Sequence, residues 1–263
     1  MKKTTGIVTL VAASALATSA FASVPASQVN RLGADLTPVG AEKAGSGDIP
    51  AWTGGLPTVP SNVTYTPGDK LQNPFASDGI KFTITAANMG QYADQLSDGY
   101  KALLSSYPSY KMNVYQSRRS CAYPDSVYQA TRRNAEVGEL AESGTGVSQA
   151  IMGFPFPIPN NAIEIIWNHT LRFRSFKATR QFTAAAVTRS GEYTLQTVQD
   201  EAILQWSDPT KGSAEELDNI SIYYIANTVA PARAAGSVIL VHETLNRALD
   251  PRKAWQYSPG TRR

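Results

Sequence analysis

Cysteine and histidine are almost missing from this chain of 263 residues, which has one cysteine, Cys121, and two histidines, His169 and His242. A single thiol excludes an intramolecular disulfide. Two histidines leave little from which to build a metal site of convergent imidazole, thiolate and carboxylate ligands. His242-Glu243 begins like a zinc-protease helix, yet Asn246 stands where the second histidine is required, and the surrounding residues read as strand. No Gly-x-Ser-x-Gly elbow supplies a hydrolase nucleophile. Gly144-Thr145-Gly146 lacks the third glycine of a dinucleotide loop, with Gln149 in its place and no strand expected before it. Neither a catalytic residue, a metal nor a cofactor is expected. A strong charge of one sign is also missing. The formal charge of +3 falls to about +1 once Lys2 and Lys3 are set aside, which gives no electrostatic case for nucleic acid. The basic pairs Arg118-Arg119, Arg132-Arg133 and Arg262-Arg263 are short and read as solvated faces.

The apolar runs are short as well. The longest useful one, Ile7 to Leu16, lies behind Lys2 and Lys3 and ahead of Ala20-Phe21-Ala22. A positive start, a short apolar stretch and small residues at a cleavage point form a secretory signal peptide, expected over residues 1–22 with cleavage after Ala22. Thr18 and Ser19 interrupt the run, and a spanning helix needs about 20 apolar residues. The mature chain is expected to start at Ser23 and to work in the periplasm. Without a disulfide it must rely on core burial or on a partner.

Residues 23–73 are rich in glycine, proline, serine and threonine and read as a looped N-terminal arm. Trp52 is expected to pin that arm to the body, with ligand stacking as the alternative. Three- and four-residue apolar spacing predicts a helix from Thr85 to Ser105, with Thr85 as its cap. Tyr110 to Tyr115 alternates like a strand, and Pro124 opens a second helix to Glu142. Gly153 to Pro159 is apolar but locked by prolines, so it is expected as an extended strap over a core edge, or as a gate over a cavity. Asn161 to Thr170 reads as a short helix with Ile163, Ile166 and Trp167 on one side. From there the period changes to two. Strands are expected over Phe176 to Ala186, Tyr193 to Trp206, Ile220 to Ala226, Val238 to Leu245 and Ala254 to Tyr257. Early helices and late strands joined by short turns give an α+β chain, with helices laid on one face of an antiparallel meander. The last strand has no return partner: a free basic tail ending at Arg263 is the plain reading, and a truncated chain is the other.

Several stretches resemble a known bacterial family. They are Leu32 to Glu42, the Ile49-Pro50-Ala51-Trp52-Thr53-Gly54-Gly55 arm, Asn73-Pro74-Phe75 with Phe82 to Asn88, Tyr107 to Tyr115, the Phe154 to Pro159 strap with Ile166-Trp167-Asn168-His169, and Ala254 to Arg263. Together they resemble the LolA-like domain-of-unknown-function family, whose members are often described as outer-membrane lipoprotein-sorting proteins. The resemblance implies a periplasmic, LolA-like curved antiparallel half-barrel over residues 74–263, incomplete at its C-terminus, with helices on the concave face and an apolar cavity between. It also implies an efflux-type inner-membrane transporter and an outer-membrane protein as partners.

The leading expectation is therefore a carrier or chaperone for a lipid, a lipoprotein acyl chain or another hydrophobic molecule. Trp167, Phe173, Phe176, Phe182, Ile222 and Tyr224 are the expected lining. The alternative is an adaptor that binds a transporter or outer-membrane protein and has no ligand of its own. A third possibility is an enzyme of unrecognised type, with His169 or His242 as the groups to test.

Overall fold

The computed structural model describes residues 24–66 and 68–263. The expected signal peptide and its Ala22 cleavage point lie outside the described residues. Helix α1 (Ala26–Val29) comes first, followed by strand β1 (Phe82–Ile84) and a 3-10 turn over Met89–Gln95. Helix α2 (Asp98–Ser106), strand β2 (Met112–Val114) and helix α3 (Asp125–Val137) follow. The long helix expected from Thr85 is thus broken in two. Asn88 turns its side chain onto its own neighbourhood, accepting from the Thr85 N–H at 2.7 Å and donating to the Thr83 carbonyl at 3.0 Å. Leu96 is extended, and the Ser97 hydroxyl caps a new start by accepting from the Tyr100 N–H at 3.3 Å. Side chains that bond the backbone locally compete with a continuous helix in this way. β1 was not expected from the sequence. It pairs antiparallel with β2, and Phe82 stacks on Tyr92 at 5.0 Å.

α3 stops at Val137, short of the expected Glu142, because the strap crosses at Gly138. A Cβ there would lie 2.6 Å from the Pro155 carbonyl oxygen. The strap has no regular structure, and side chains satisfy its backbone instead. Asn168 accepts from the Phe156 N–H at 2.9 Å and donates to the Phe156 carbonyl. Thr131 accepts from the Phe154 N–H, while Asn134 donates to the Ile151 and Phe154 carbonyls and accepts from the Ile151 N–H. Buried backbone groups need such partners when neither helix nor strand supplies them.

The arm is held to this layer, and the basic pairs do the holding. Val29 and Leu32 are buried with Ala135. Gly40 (φ +89°) faces the Pro157 carbonyl so closely that no side chain fits. Trp52 Nε1 donates to the Cys121 carbonyl at 3.0 Å, which is the pinning role. Arg119 donates to the carbonyls of Glu42, Lys43 and Ala44, Arg132 to the Val29 carbonyl and the Asn30 side-chain oxygen, Arg133 to the Gln149 carbonyl, and Arg118 pairs with the Asp78 carboxylate at 2.6 Å. Arg118, Arg132 and Arg133 are exposed, as expected of solvated faces, and Arg119 is half-buried, yet all four also make contacts that the sequence did not announce. They stitch loop backbone to the body.

Strands β3 (Glu139–Leu140) and β4 (Val147–Ser148) form a small hairpin around Gly144-Thr145-Gly146, so a short strand does precede that glycine loop, and helix α4 (Ala162–Thr170) follows. Five strands then run in chain order through one antiparallel sheet: β5 (Lys177–Val187), β6 (Tyr193–Leu204), β7 (Ile220–Ala230), β8 (Val238–Thr244) and β9 (Lys253–Tyr257). These match the expected strands closely. Register shifts at Thr197/Val198 and Ile220/Ile222 bend the sheet, as bulges do.

Only one end of the sheet is anchored. Trp206, 2% exposed just past β6, packs with Ile151, Phe156, Trp167, Leu171, Leu217 and Leu245. Its Nε1 donates to the Gly153 carbonyl at 3.1 Å, and its own carbonyl accepts from the Met152 N–H at 2.8 Å. Away from this joint the strands run free. Every residue of β5 and of β9 is exposed. The expected laying of helices over the concave face is therefore corrected: α3 packs with the arm and the strap, and α2 packs with β1, β2 and the 3-10 turn in a separate small core.

Asn134→Ala tests the strap account. It leaves the buried Ile151 N–H unpaired and removes a donor from two carbonyls, so urea unfolding should show a loss of about 2–3 kcal/mol. A loss well below about 1 kcal/mol contradicts the account.

Candidate functional site

Residues of even number in β5 to β7 share one face of the sheet with odd-numbered residues of β8, because the registers align Ala178 with Ala202, Tyr224 and Val241 in one row. The next row holds Arg180, Asp200, Ala226 and Ile239, and the row on the other side holds Leu204, Ile222 and Glu243. This face is hollow. A cavity of about 510 Å³ rests on Ala178, Ala202, Leu204, Ile222, Ile239 and Val241, within the size range of small-molecule sites. Ala178 and Ala202 contribute little side chain, so the floor sinks beside Tyr224. Arg174, ahead of β5, and Arg252, ahead of β9, complete the rim. No residue of α2, α3 or α4 lines it.

One carboxylate is buried in the wall. Asp200, 3% exposed, accepts from Arg180 Nε at 2.9 and 2.7 Å on its two oxygens, and from the Tyr224 hydroxyl at 2.9 Å. Burial of this charge requires such compensation. The hydrogen bond that Arg180 donates to Asp200 is the main cause that raises the Arg180 pKa above its usual range. At the opposite edge Glu243 pairs with Arg247 at 2.8 Å and Arg252 at 3.1 Å. The result is an apolar floor with fixed charges at its margin, suited to holding an apolar molecule by burial and orienting it by its polar end.

Of the expected lining residues, Ile222 and Tyr224 do line this cavity. Phe182 stands on the same face one position beyond, with the Arg180 guanidinium 5.2 Å from its ring centre. Phe176 is exposed ahead of β5 and lies outside the lining. Trp167 and Phe173 stand elsewhere. Trp167 is part of the core, its Nε1 donating to the Gly144 carbonyl at 3.0 Å, and one edge meets a separate shallow hollow with Ile163 and Ile166. Phe173 packs edge-on to Tyr123 at 6.3 Å, within an aromatic group that also includes Phe154 and Tyr128. The reading by aromatic content missed Arg174, Arg180, Asp200, Glu243 and Arg252. A signal was present, since Arg180 occupies an inward position between Ala178 and Phe182.

The histidines stand apart from the cavity. His242 is on the opposite face, edge-on between Tyr223 and Trp255. His169 is in the last turn of α4, beside Arg172. Cys121 is exposed. Among the described residues no three His, Cys, Asp or Glu side chains gather as a metal site, and no helix is long and apolar enough to cross a membrane.

The Arg180, Asp200 and Tyr224 group carries a pH signature. Burial, and then the hydrogen bond to Asp200, push the Tyr224 phenol above its ordinary value of about 10. The folded state holds this proton more tightly than the unfolded chain. Its contribution is complete below about pH 10 and is lost as pH rises through the raised value. Tyr123, raised chiefly by burial, adds the same sign, so the comparison must be between variants. Tyr224→Phe should flatten the alkaline fall in unfolding free energy between about pH 9 and 12. An unchanged fall contradicts the assignment.

The family model described as "Protein of unknown function (DUF1329)" matches residues 83–263, which include the whole sheet and its cavity. An uncharacterized protein of Pseudomonas aeruginosa is 42% identical over 261 residues, covering 97% of this chain. The chain spans 56% of that relative's length. No solved structure matches. By the family model, which matches well over half of its length, the chain belongs to the DUF1329 family.

Proposed function

We propose that the protein is a periplasmic carrier that holds an acyl chain or similar apolar molecule on the hollow face of its sheet. In this reading the leader at residues 1–22 exports it and the sheet is a LolA-like half-barrel. The protein binds and hands over its cargo without transforming it, and the cargo is a lipid, a lipidated protein or another hydrophobic molecule of the cell envelope. The observation that supports it is the cavity of about 510 Å³ framed by four adjacent strands, with alanines where larger side chains would fill it. Packed interiors rarely leave such space between apolar side chains. Burial of ten methylenes at ~0.8 kcal/mol each gives about 8 kcal/mol before ordering costs, the scale of a micromolar Kd.

Displacement of the neutral fluorophore N-phenylnaphthylamine by dodecanol measures this directly. The wild-type protein should bind in the micromolar range. Ala202→Trp, which fills the floor between Ala178 and Tyr224, should weaken binding at least about tenfold while keeping the far-ultraviolet dichroism of the sheet. Equal binding by the two proteins, or none by either, contradicts the reading.

One observation favours a second reading, an adaptor for an efflux-type transporter or outer-membrane protein. The opposite face exposes Leu195, Leu240, Trp255 and Tyr257, and among the described residues β9 has no strand on its outer side. Such an edge can accept a partner strand. A photocrosslinker at Trp255 should then trap a protein in cells, and recovery of uncrosslinked protein alone counts against it.

A further inference from the structure

We infer that the cargo of this cavity is an anionic amphiphile, its carboxylate or phosphate head seated at Arg174 and its tail laid over Ala178, Ala202, Ile222 and Val241. This rests on the carrier reading above and adds the chemistry of the head group. The rim provides the argument. Three guanidinium groups, Arg174, Arg180 and Arg252, face the cavity against two carboxylates, Asp200 and Glu243. Asp200 is taken by Arg180 and Tyr224, and Glu243 is shared between Arg252 and Arg247. Arg174 is left over. Among the described residues it has neither a hydrogen bond nor an ion pair.

Arg174 is exposed to solvent at this corner, with two other cations beside it. Arg174 lies close enough to Arg172 and Arg180 to be repelled by both, and burial followed by these two cations lowers its pKa. Arg172 offers no relief, since its guanidinium donates to the His169 carbonyl. An anion at this corner would remove the repulsion and give Arg174 a partner of the planar, two-oxygen shape that guanidinium recognises. A free anion gains only that contact, which is weak where solvent reaches it. An amphiphile adds the burial of its tail on the adjoining floor. Head and tail sites are contiguous, so one molecule satisfies both.

The test compares dodecanoate and dodecyl phosphate with dodecanol as competitors for bound N-phenylnaphthylamine, with inorganic phosphate as the tail-less probe. The wild-type protein should prefer either anion over the alcohol by about fivefold to tenfold, and the preference should shrink as salt rises. Inorganic phosphate should not compete. Arg174→Gln should bring the anion-to-alcohol ratio close to one, and Arg174→Lys should restore most of it, while Arg252→Gln should change it less. Equal affinity for anion and alcohol in the wild type, or an unchanged ratio in Arg174→Gln, overturns the head-group assignment and leaves the carrier reading standing. Failure of all three amphiphiles to compete overturns both.

Discussion

Anchoring of the sheet at one end is the constraint on which the rest of the structure depends. Trp206 is the fastening: its ring is buried, its indole N–H is spent on Gly153, and its carbonyl holds Met152. A tryptophan brings a large apolar area and a single donor, so it can bind a strand end to an irregular segment without a ladder. Because α4 and the strap gather at that root, and α2, α3 and α4 contribute nothing to the lining of the hollow face, the strands beyond it stay uncovered by helix. A five-stranded sheet covered by helices would have filled its hollow face with interlocking side chains. This one keeps a floor of alanines beside a buried carboxylate.

That geometry also fixes where charge can stand. Asp200 is tolerated in the wall because Arg180 and Tyr224 both donate to it, and Arg180 stays solvated on its other side. Removing one member of such a set leaves a charge without compensation, so the set behaves as a unit. Arg174 has no equivalent arrangement, and the asymmetry between these two arginines separates a structural cation from one available to a ligand.

Much of the sheet was legible in the sequence. Alternation in Ile220 to Ala226 and Val238 to Leu245 reports a half-buried surface, and Gly191 (φ +86°) marks the first hairpin. The strap was legible because prolines remove donors, and its partners Asn134 and Asn168 were not, since a polar residue on a helix gives no sign of which backbone it will serve. The Thr85 to Ser105 helix failed for a local reason: apolar spacing persisted across Asn88 and Ser97, both of which bond nearby backbone. At the site, weighting by aromatic size led to Trp167, which is core, and to Phe173, which packs edge-on to Tyr123. A cavity floor is made by small residues, and Ala178 and Ala202 carry no chemical label. The charge at Arg180, inward on an apolar alternation, was the readable clue.

The central claim is that the hollow face is filled by cargo and not by protein. Native mass spectrometry of the protein isolated from its own cell envelope without detergent exchange tests it most directly. The account predicts a bound species of a few hundred daltons or more that dissociates on activation and yields an acyl-containing, negatively charged molecule. A mass equal to the polypeptide alone, with no uptake after incubation with envelope lipids, would contradict it.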